Sequence, residues 1–198
     1  MSVSLTKKQT VSLTKSASNG LTRITIGLGW DPVKKKKGLL SSLFSGGGGD
    51  SIDLDASCVL LDAQAHPVDT IWFSQLKSRC GAVVHGGDNL TGAGDGDDEV
   101  IYVDLPALPN SVEYLAFTVN SFRGQTFNEV ENAFCRVLDN KGTELTKFLL
   151  SEQGSHTGIL IASLRRQGGE WNFTAHGQPA PGRTVDDMLP MISQEVGA

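Results

Sequence analysis

A glycine-rich stretch between positions 88 and 99 carries five carboxylates, and their chemistry is that of a cation site. Carboxylates packed so closely repel each other unless a cation compensates them. Calcium takes about six to eight oxygen ligands and tolerates irregular geometry, and the glycines allow backbone carbonyls to join the side chains. The stretch therefore predicts a calcium-binding loop, and a solvated acidic turn without a ligand is the alternative. The candidate ligands here are Asp88, Asn89, Thr91, Gly94, Asp95, Asp97, Asp98 and Glu99.

Three further aspartates are expected at the ends of neighbouring strands. The segment 52–62 alternates apolar and polar residues as a strand does, which places Asp53 and Asp55 on one face, about 7 Å apart. Asp31 follows a second strand, 21–30. If these two strands pair antiparallel, Asp31 lies at the same end as Asp53 and helps to close the site. The alternative is that acids at strand starts simply face water.

These three aspartates and the five carboxylates of the loop are more than one ion needs, because a single Ca²⁺ uses about three or four carboxylates. Two Ca²⁺ ions that share ligands are therefore predicted. The spacing is not that of an EF-hand, since Leu90 occupies a ligand position. Magnesium uses fewer carboxylates. Zinc prefers His or Cys, and the one nearby histidine, His85, is expected to be structural.

Catalysis is the competing class of function. The clustered carboxylates could serve a metal-dependent hydrolase, although such sites usually include histidine ligands. Ser155, His156, His176 and Cys80 lie in no nucleophile elbow and in no Cys/His signature. The sequence thus favours a binding module that is not an enzyme.

The elements that must position these residues are short strands at regular spacing. Turn residues at 139–142 and 165–170 indicate two hairpins, and the apolar spacing over 186–196 indicates one late helix. A short helix is also expected at 128–132. This pattern predicts a mainly β protein: an antiparallel β-sandwich with acidic calcium-binding loops at one end and a short C-terminal helix.

One domain over 1–198 is predicted, with a basic and glycine-rich insertion at 33–51 and a helical tail at 183–198. In the insertion, Lys34–Lys37 precede an apolar group at 39–44. Such a basic and apolar pairing can rest on an anionic membrane, so peripheral contact through residues 34–44 is one interpretation, and a solvated loop is the other.

The charge distribution and the cysteines limit which classes of partner and which cellular compartment are expected. The net charge is −5, and the acids are concentrated in 51–104, which argues against nucleic acid as a partner. No apolar run is long enough to span a bilayer, and the N-terminus has no signal-like apolar core, so a cytoplasmic location is expected. Cys58 and Cys135 lie in apolar runs and are expected to be buried free thiols.

Several motifs, taken in order, resemble the TerD family of bacterial tellurium-resistance and stress-response proteins. They are Gly27-Leu28-Gly29-Trp30-Asp31, Asp53-Leu54-Asp55-Ala56-Ser57, Gly87-Asp88-Asn89 with Thr91-Gly92, Gly96-Asp97-Asp98-Glu99, and Asn132-Ala133-Phe134. The resemblance covers about residues 2–180. It implies a β-sandwich that binds two Ca²⁺. It also implies a role beside other proteins of a tellurite-resistance and stress complex near the inner membrane, and a link to phage and colicin resistance. The matched ligand positions are Asp31, Asp53, Asp55, Asp88, Asn89, Asp97, Asp98 and Glu99.

Overall fold

The computed structural model of the chain describes residues 2–17, 20–33, 52–87, 96–151 and 153–198. Within these ranges lie twelve strands and two helices. The strands are β1 Val3–Leu5, β2 Thr10–Ser12, β3 Arg23–Pro32, β4 Asp55–Leu61, β5 Pro67–Ile71, β6 Val83–His85, β7 Glu99–Asp104, β8 Tyr114–Asn120, β9 Val130–Asp139, β10 Glu144–Leu149, β11 Gly158–Gln167 and β12 Glu170–Ala180. The helices are α1 Leu13–Ser16 and α2 Val185–Val196, and 3₁₀ turns cover Leu105–Ala107 and Phe127–Glu129.

The strands form two six-stranded sheets that face each other. Sheet A has the order β1-β10-β9-β3-β7-β6, and sheet B has the order β2-β12-β11-β8-β4-β5. Every described strand pair is antiparallel except β1 with β10. One face of each sheet supplies the shared core, as the alternation of apolar residues requires. The predicted mainly β sandwich is confirmed.

Helix α2 covers the outer face of sheet B. Thr184 and Asp187 form a capping box that begins the helix, and Met188 and Ile192 are fully buried against the sheet. Because this face is covered as well, every residue of β4 and of β8 is buried. Neither helix among the described residues is long and apolar enough to cross a membrane.

Two local expectations are wrong. Strands β3 and β4 do not pair: β3 lies between β7 and β9 in sheet A, whereas β4 lies between β5 and β8 in sheet B. The helix expected at 128–132 is a 3₁₀ turn at Phe127–Glu129 that runs directly into β9.

Candidate metal centre

The described acids meet at one end of the sandwich because three strands begin or end there. Asp31 lies at the end of β3, Asp53 and Asp55 at the start of β4, and Asp97–Glu99 at the start of β7. The antiparallel register pairs Leu28 with Glu99, and the N–H of Asp98 donates to the carbonyl of Leu28 at 2.8 Å. The end of β3 and the start of β7 therefore lie side by side within sheet A.

The acids at the start of β4 reach this end from the opposite sheet. The N–H of Ala56 in β4 donates to Oε2 of Glu99 in β7 at 2.6 Å. The Nε1–H of Trp30 in β3 donates to the carbonyl of Ile52 at 3.4 Å. The acids thus come together across the two sheets, by a route different from the strand pairing expected from the sequence.

The negative charges of Asp31 and Asp97 both act on Asp98. Burial raises the pKa of Asp98, the hydrogen bond that it accepts from the N–H of Trp30 lowers it, and repulsion from Asp31 and Asp97 raises it further. The net direction is upward. A carboxylate whose neighbours raise its pKa in this way gains from a nearby cation.

Asp97 is held by an arginine from the next strand but one. Arg136 of β9 donates to Asp97 through two of its three guanidinium nitrogens, at 2.8 Å through Nε and 3.1 Å through Nη2. The hydrogen bond and the charge of Asp97 raise the pKa of Arg136. Between them lies Gly27 of β3, where a Cβ atom would collide with the Asp97 carboxylate. Glycine at this position is what lets the carboxylate lie flat on the sheet.

Glu99 points into the sandwich and is 2 % exposed. In addition to the Ala56 N–H, it has His85 Nε2 at 3.4 Å, and the same nitrogen lies 3.1 Å from the Ala56 carbonyl. The Nδ1 of His85 accepts from the N–H of Gly87, so this nitrogen carries no proton and the Nε2 carries it. His85 is therefore a structural link between the sheets, as the sequence predicted.

Asp53 and Asp55 are each 7 % exposed, so the alternative that these acids simply face water is wrong. Arg123 approaches Asp53 Oδ2 at 2.8 Å, and Gln125 Oε1 accepts from the Asp53 N–H at 3.0 Å. Buried carboxylates need compensating charge or hydrogen bonds. Arg123 supplies part of this compensation at Asp53.

Asp31 borders an open cleft of about 580 Å³ on the outer side of sheet A. The side-chain N–H of Asn132 donates to Asp31 Oδ2 at 2.8 Å, and Asn132 has a backbone φ of 56°. A left-handed conformation in a strand is uncommon for a residue other than glycine. It directs the amide of Asn132 toward the acid. Phe134 and Lys147 also line the cleft, with the Lys147 amine 4.1 Å from the ring centre.

The structure places part of the predicted ligand set at one end of the sandwich. Its members among the described residues are Asp31, Asp53, Asp55, Asp97, Asp98 and Glu99. The remaining candidates lie outside the described residues, namely Asp88, Asn89, Thr91, Gly94 and Asp95. Within the described ranges, no three His, Cys, Asp or Glu side chains by themselves form a group that could hold a metal. The carboxylates present are nonetheless the hard oxygen donors that calcium prefers, so their chemistry fits the ion.

The sequence analysis missed the residues that compensate these acids. Arg123, Arg136 and Asn132 lie far from their partners in the chain and carry no local signal. The motif Asn132-Ala133-Phe134 is one of those that resemble the TerD family, but nothing in the sequence links it to Asp31.

A second group of polar side chains, away from the acids, resembles a catalytic triad. Ser163 Oγ lies 2.8 Å from His176 Nε2, and His176 Nδ1 lies 3.3 Å from Glu195 of α2. Ser163 and His176 are only 5 % and 6 % exposed beneath the helix. A nucleophile needs access to its substrate. The arrangement is better explained as a polar contact that fastens α2 to sheet B.

The fold and the site together define a β-sandwich protein in which both sheets contribute acids to one end. The model of the TerD domain matches residues 1–189, and the chain belongs to this family of tellurium-resistance and stress-response proteins. It is 67 % identical to the tellurium resistance protein TerZ of Serratia marcescens, over 94 % of each chain. It is 41 % identical to the stress response protein SCP2 of Bacillus subtilis, over 96 % of this chain and 98 % of the relative.

The fold is also found in a solved structure. A crystal structure of a homologue of telluride resistance protein (TerD) from Streptomyces coelicolor A3(2) superimposes with a TM-score of 0.67, covering 90 % of this chain and 99 % of the other at 22 % identity. The family predicted from the sequence is confirmed. The insertion after Pro32 and the stretch 120–124 also pointed to the TerZ member, in agreement with the identity to TerZ.

Proposed function

We propose that this protein binds calcium, as two ions that share ligands, through the acids at the shared end of its sheets. The observation that carries the proposal is the convergence of Asp31, Asp97 and Asp98, whose mutual repulsion contributes to the raised pKa of Asp98. The loop 88–95 would add the remaining oxygens. A bound divalent cation would supply positive charge and nothing else, so binding would order this end of the domain without any chemical step.

We further propose that the module acts without catalysis, in the cytoplasm, as a scaffold or sensor for other proteins of a tellurite-resistance and stress complex near the inner membrane. The names of the relatives support the cellular setting, since they are resistance and stress proteins. The peripheral membrane contact predicted for 34–44 falls outside the described residues and stays a prediction. The competing metal-dependent hydrolase gains no support from His85, which lies beside Glu99 but is occupied by the inter-sheet contacts.

The test is calcium-dependent stability. At each site, calcium at about one hundred times its dissociation constant should raise the free energy of unfolding by about 2.7 kcal/mol. For a chain of this length that corresponds to a rise in melting temperature of roughly 5–10 °C, reversed by a chelator. Isothermal titration calorimetry gives the number of ions. Absence of calcium heat together with chelator-insensitive melting would exclude the proposal.

Asp98→Asn tests Asp98 as a calcium ligand while keeping the shape of the side chain. The amide oxygen can still accept from the Trp30 N–H, but one ligand charge is lost, so calcium affinity should fall by at least about tenfold. Asp104→Asn is the control, because Asp104 lies at the opposite end of β7 beside Arg23. Equal affinity in the two variants would remove Asp98 from the ligand set.

A further inference from the structure

Strand β9 carries one extra residue where it passes Trp30 of β3. Gly29 of β3 pairs with Phe134 of β9. Two residues further along β3, Asp31 pairs with Glu131, which is three residues away from Phe134 along β9. Such a β-bulge interrupts the ladder of hydrogen bonds locally and turns a side chain in a new direction. The bulge lies directly beside Asp31, one of the proposed calcium ligands.

Asn132 lies in this bulge and has a left-handed backbone, with a φ of 56°. Glycine adopts this conformation most readily, and asparagine is one of the few other residues that tolerate it. The Nδ2–H of Asn132 donates to Oδ2 of Asp31 at 2.8 Å. Glycine would serve the backbone here at least as well, so the contact with Asp31 is what asparagine adds to this position.

The packing around the bulge keeps β9 close to β3. A Cβ atom at Gly29 would collide with the ring of Phe134 and with the carbonyl oxygen of Gly96. Glycine at position 29 therefore lets the Phe134 ring lie against β3, two residues beyond Asn132. Among the residues that the structure describes, Asn132 is the only one whose side chain donates a hydrogen bond to the Asp31 carboxylate. The orientation of this carboxylate thus depends on the bulge.

We propose that Asn132 positions Asp31 for calcium binding, an inference that rests on the proposed function of the acidic end. Groups that hydrogen-bond a metal ligand fix its orientation, and their loss weakens metal binding. By holding Oδ2, the amide of Asn132 restricts rotation of the carboxylate, so less conformational freedom is lost when an ion binds. Asn132 is therefore a positioning residue, which acts on the ion through Asp31.

Asn132→Gly tests this role, because it removes the amide and keeps the left-handed backbone. In isothermal titration of the full chain with Ca²⁺, at least one ion should bind about tenfold more weakly, at the lower end of the range for partners of metal ligands. The melting temperature in chelator should change little, since glycine adopts a φ of 56° without strain.

Ala65→Gly is the matched control for the backbone. Ala65 has a φ of 58°, and it lies in the turn after β4, at the end of that strand opposite Asp55. The substitution places glycine at a left-handed position of the same kind without touching the acids. Its calcium affinity should equal that of the parent chain.

A double-mutant cycle separates positioning from direct coordination. Asp31→Ala should weaken calcium binding by itself, because one ligand is lost. In the Asp31→Ala background, Asn132→Gly should have little further effect on calcium affinity, since the amide then has no carboxylate to hold. Additive losses in the double variant would show that Asn132 acts on the ion directly, and would overturn the proposal.

Two other results would overturn it. The first is equal calcium affinity of Asn132→Gly and a parent chain that does bind calcium, which would leave the proposed function intact. The second is an equal loss of affinity in Ala65→Gly, which would assign the effect to the backbone change. A parent chain that binds no calcium would overturn the proposed function itself, and this inference with it.

Discussion

Gly27→Ala should break the ion pair that holds Asp97 against sheet A. The added methyl group would collide with the Asp97 carboxylate, which then has to turn away and give up its two bonds to Arg136. The pair is partly buried, with side-chain exposures of 10 % and 30 % for Asp97 and Arg136, so its loss should cost about 1–2 kcal/mol of unfolding free energy. The backbone of Gly27 does not lie in the left-handed region, so alanine adds no strain of its own.

The same substitution should behave differently when the carboxylate is absent. In an Asp97→Ala background the three carboxylate atoms nearest to the methyl group are absent, and the restricted unfolded chain should make Gly27→Ala neutral or stabilising by about 0.4–1 kcal/mol. Urea unfolding of the parent, the two single variants and the double variant gives the coupling energy, expected at about 1–3 kcal/mol. An equal cost of Gly27→Ala in both backgrounds would refute the proposed arrangement of Gly27, Asp97 and Arg136.

Two further predictions concern the links between layers. Glu99→Ala should cost about 1–3 kcal/mol in urea unfolding, because it leaves the buried Ala56 N–H without its acceptor, whereas Glu99→Gln should cost clearly less; equal losses would contradict this role. Burial holds the pKa of His176 below its ordinary value, with Glu195 raising it and Lys8 lowering it in turn. Because the unfolded state then binds the proton more readily, this contribution to stability is complete above about pH 6.5 and is lost as the pH falls through the lowered pKa. Thermal melts from pH 7.5 to 5 should therefore be flatter for His176→Gln than for the parent, and parallel curves would exclude the effect.

Local patterns in the sequence were sufficient for the class of fold. Alternation over 52–62 marked β4, and the turn residues at 139–142 marked the hairpin between β9 and β10. The free thiols of Cys58 and Cys135 are buried as expected. These features follow from backbone geometry and apolar spacing within a few residues, so they can be read without knowledge of the partner strands.

Contacts between sheets could not be read in this way. The sequence does not say whether β3 and β4 share a sheet, because strands near each other in the chain can pair or can face each other across the core. The compensation of Asp53 by Arg123 and of Asp97 by Arg136 depends on that choice, and so does the contact between Ser163, His176 and Glu195. The acids themselves can be identified from the sequence, because clustered carboxylates are unusual in any sequence.

The placement of the earliest strands has a consequence for synthesis of the chain. Strand β1 pairs with β10, and β2 pairs with residues 172–174 of β12, so an edge of each sheet joins residues far apart in the chain. Such distant pairs cannot form while the ribosome is still adding the later strands, and folds rich in them close slowly. The first dozen residues must therefore wait, unpaired, until nearly the whole polypeptide has been translated. Premature termination before β12 would leave β11 as an open edge, able to pair with other chains.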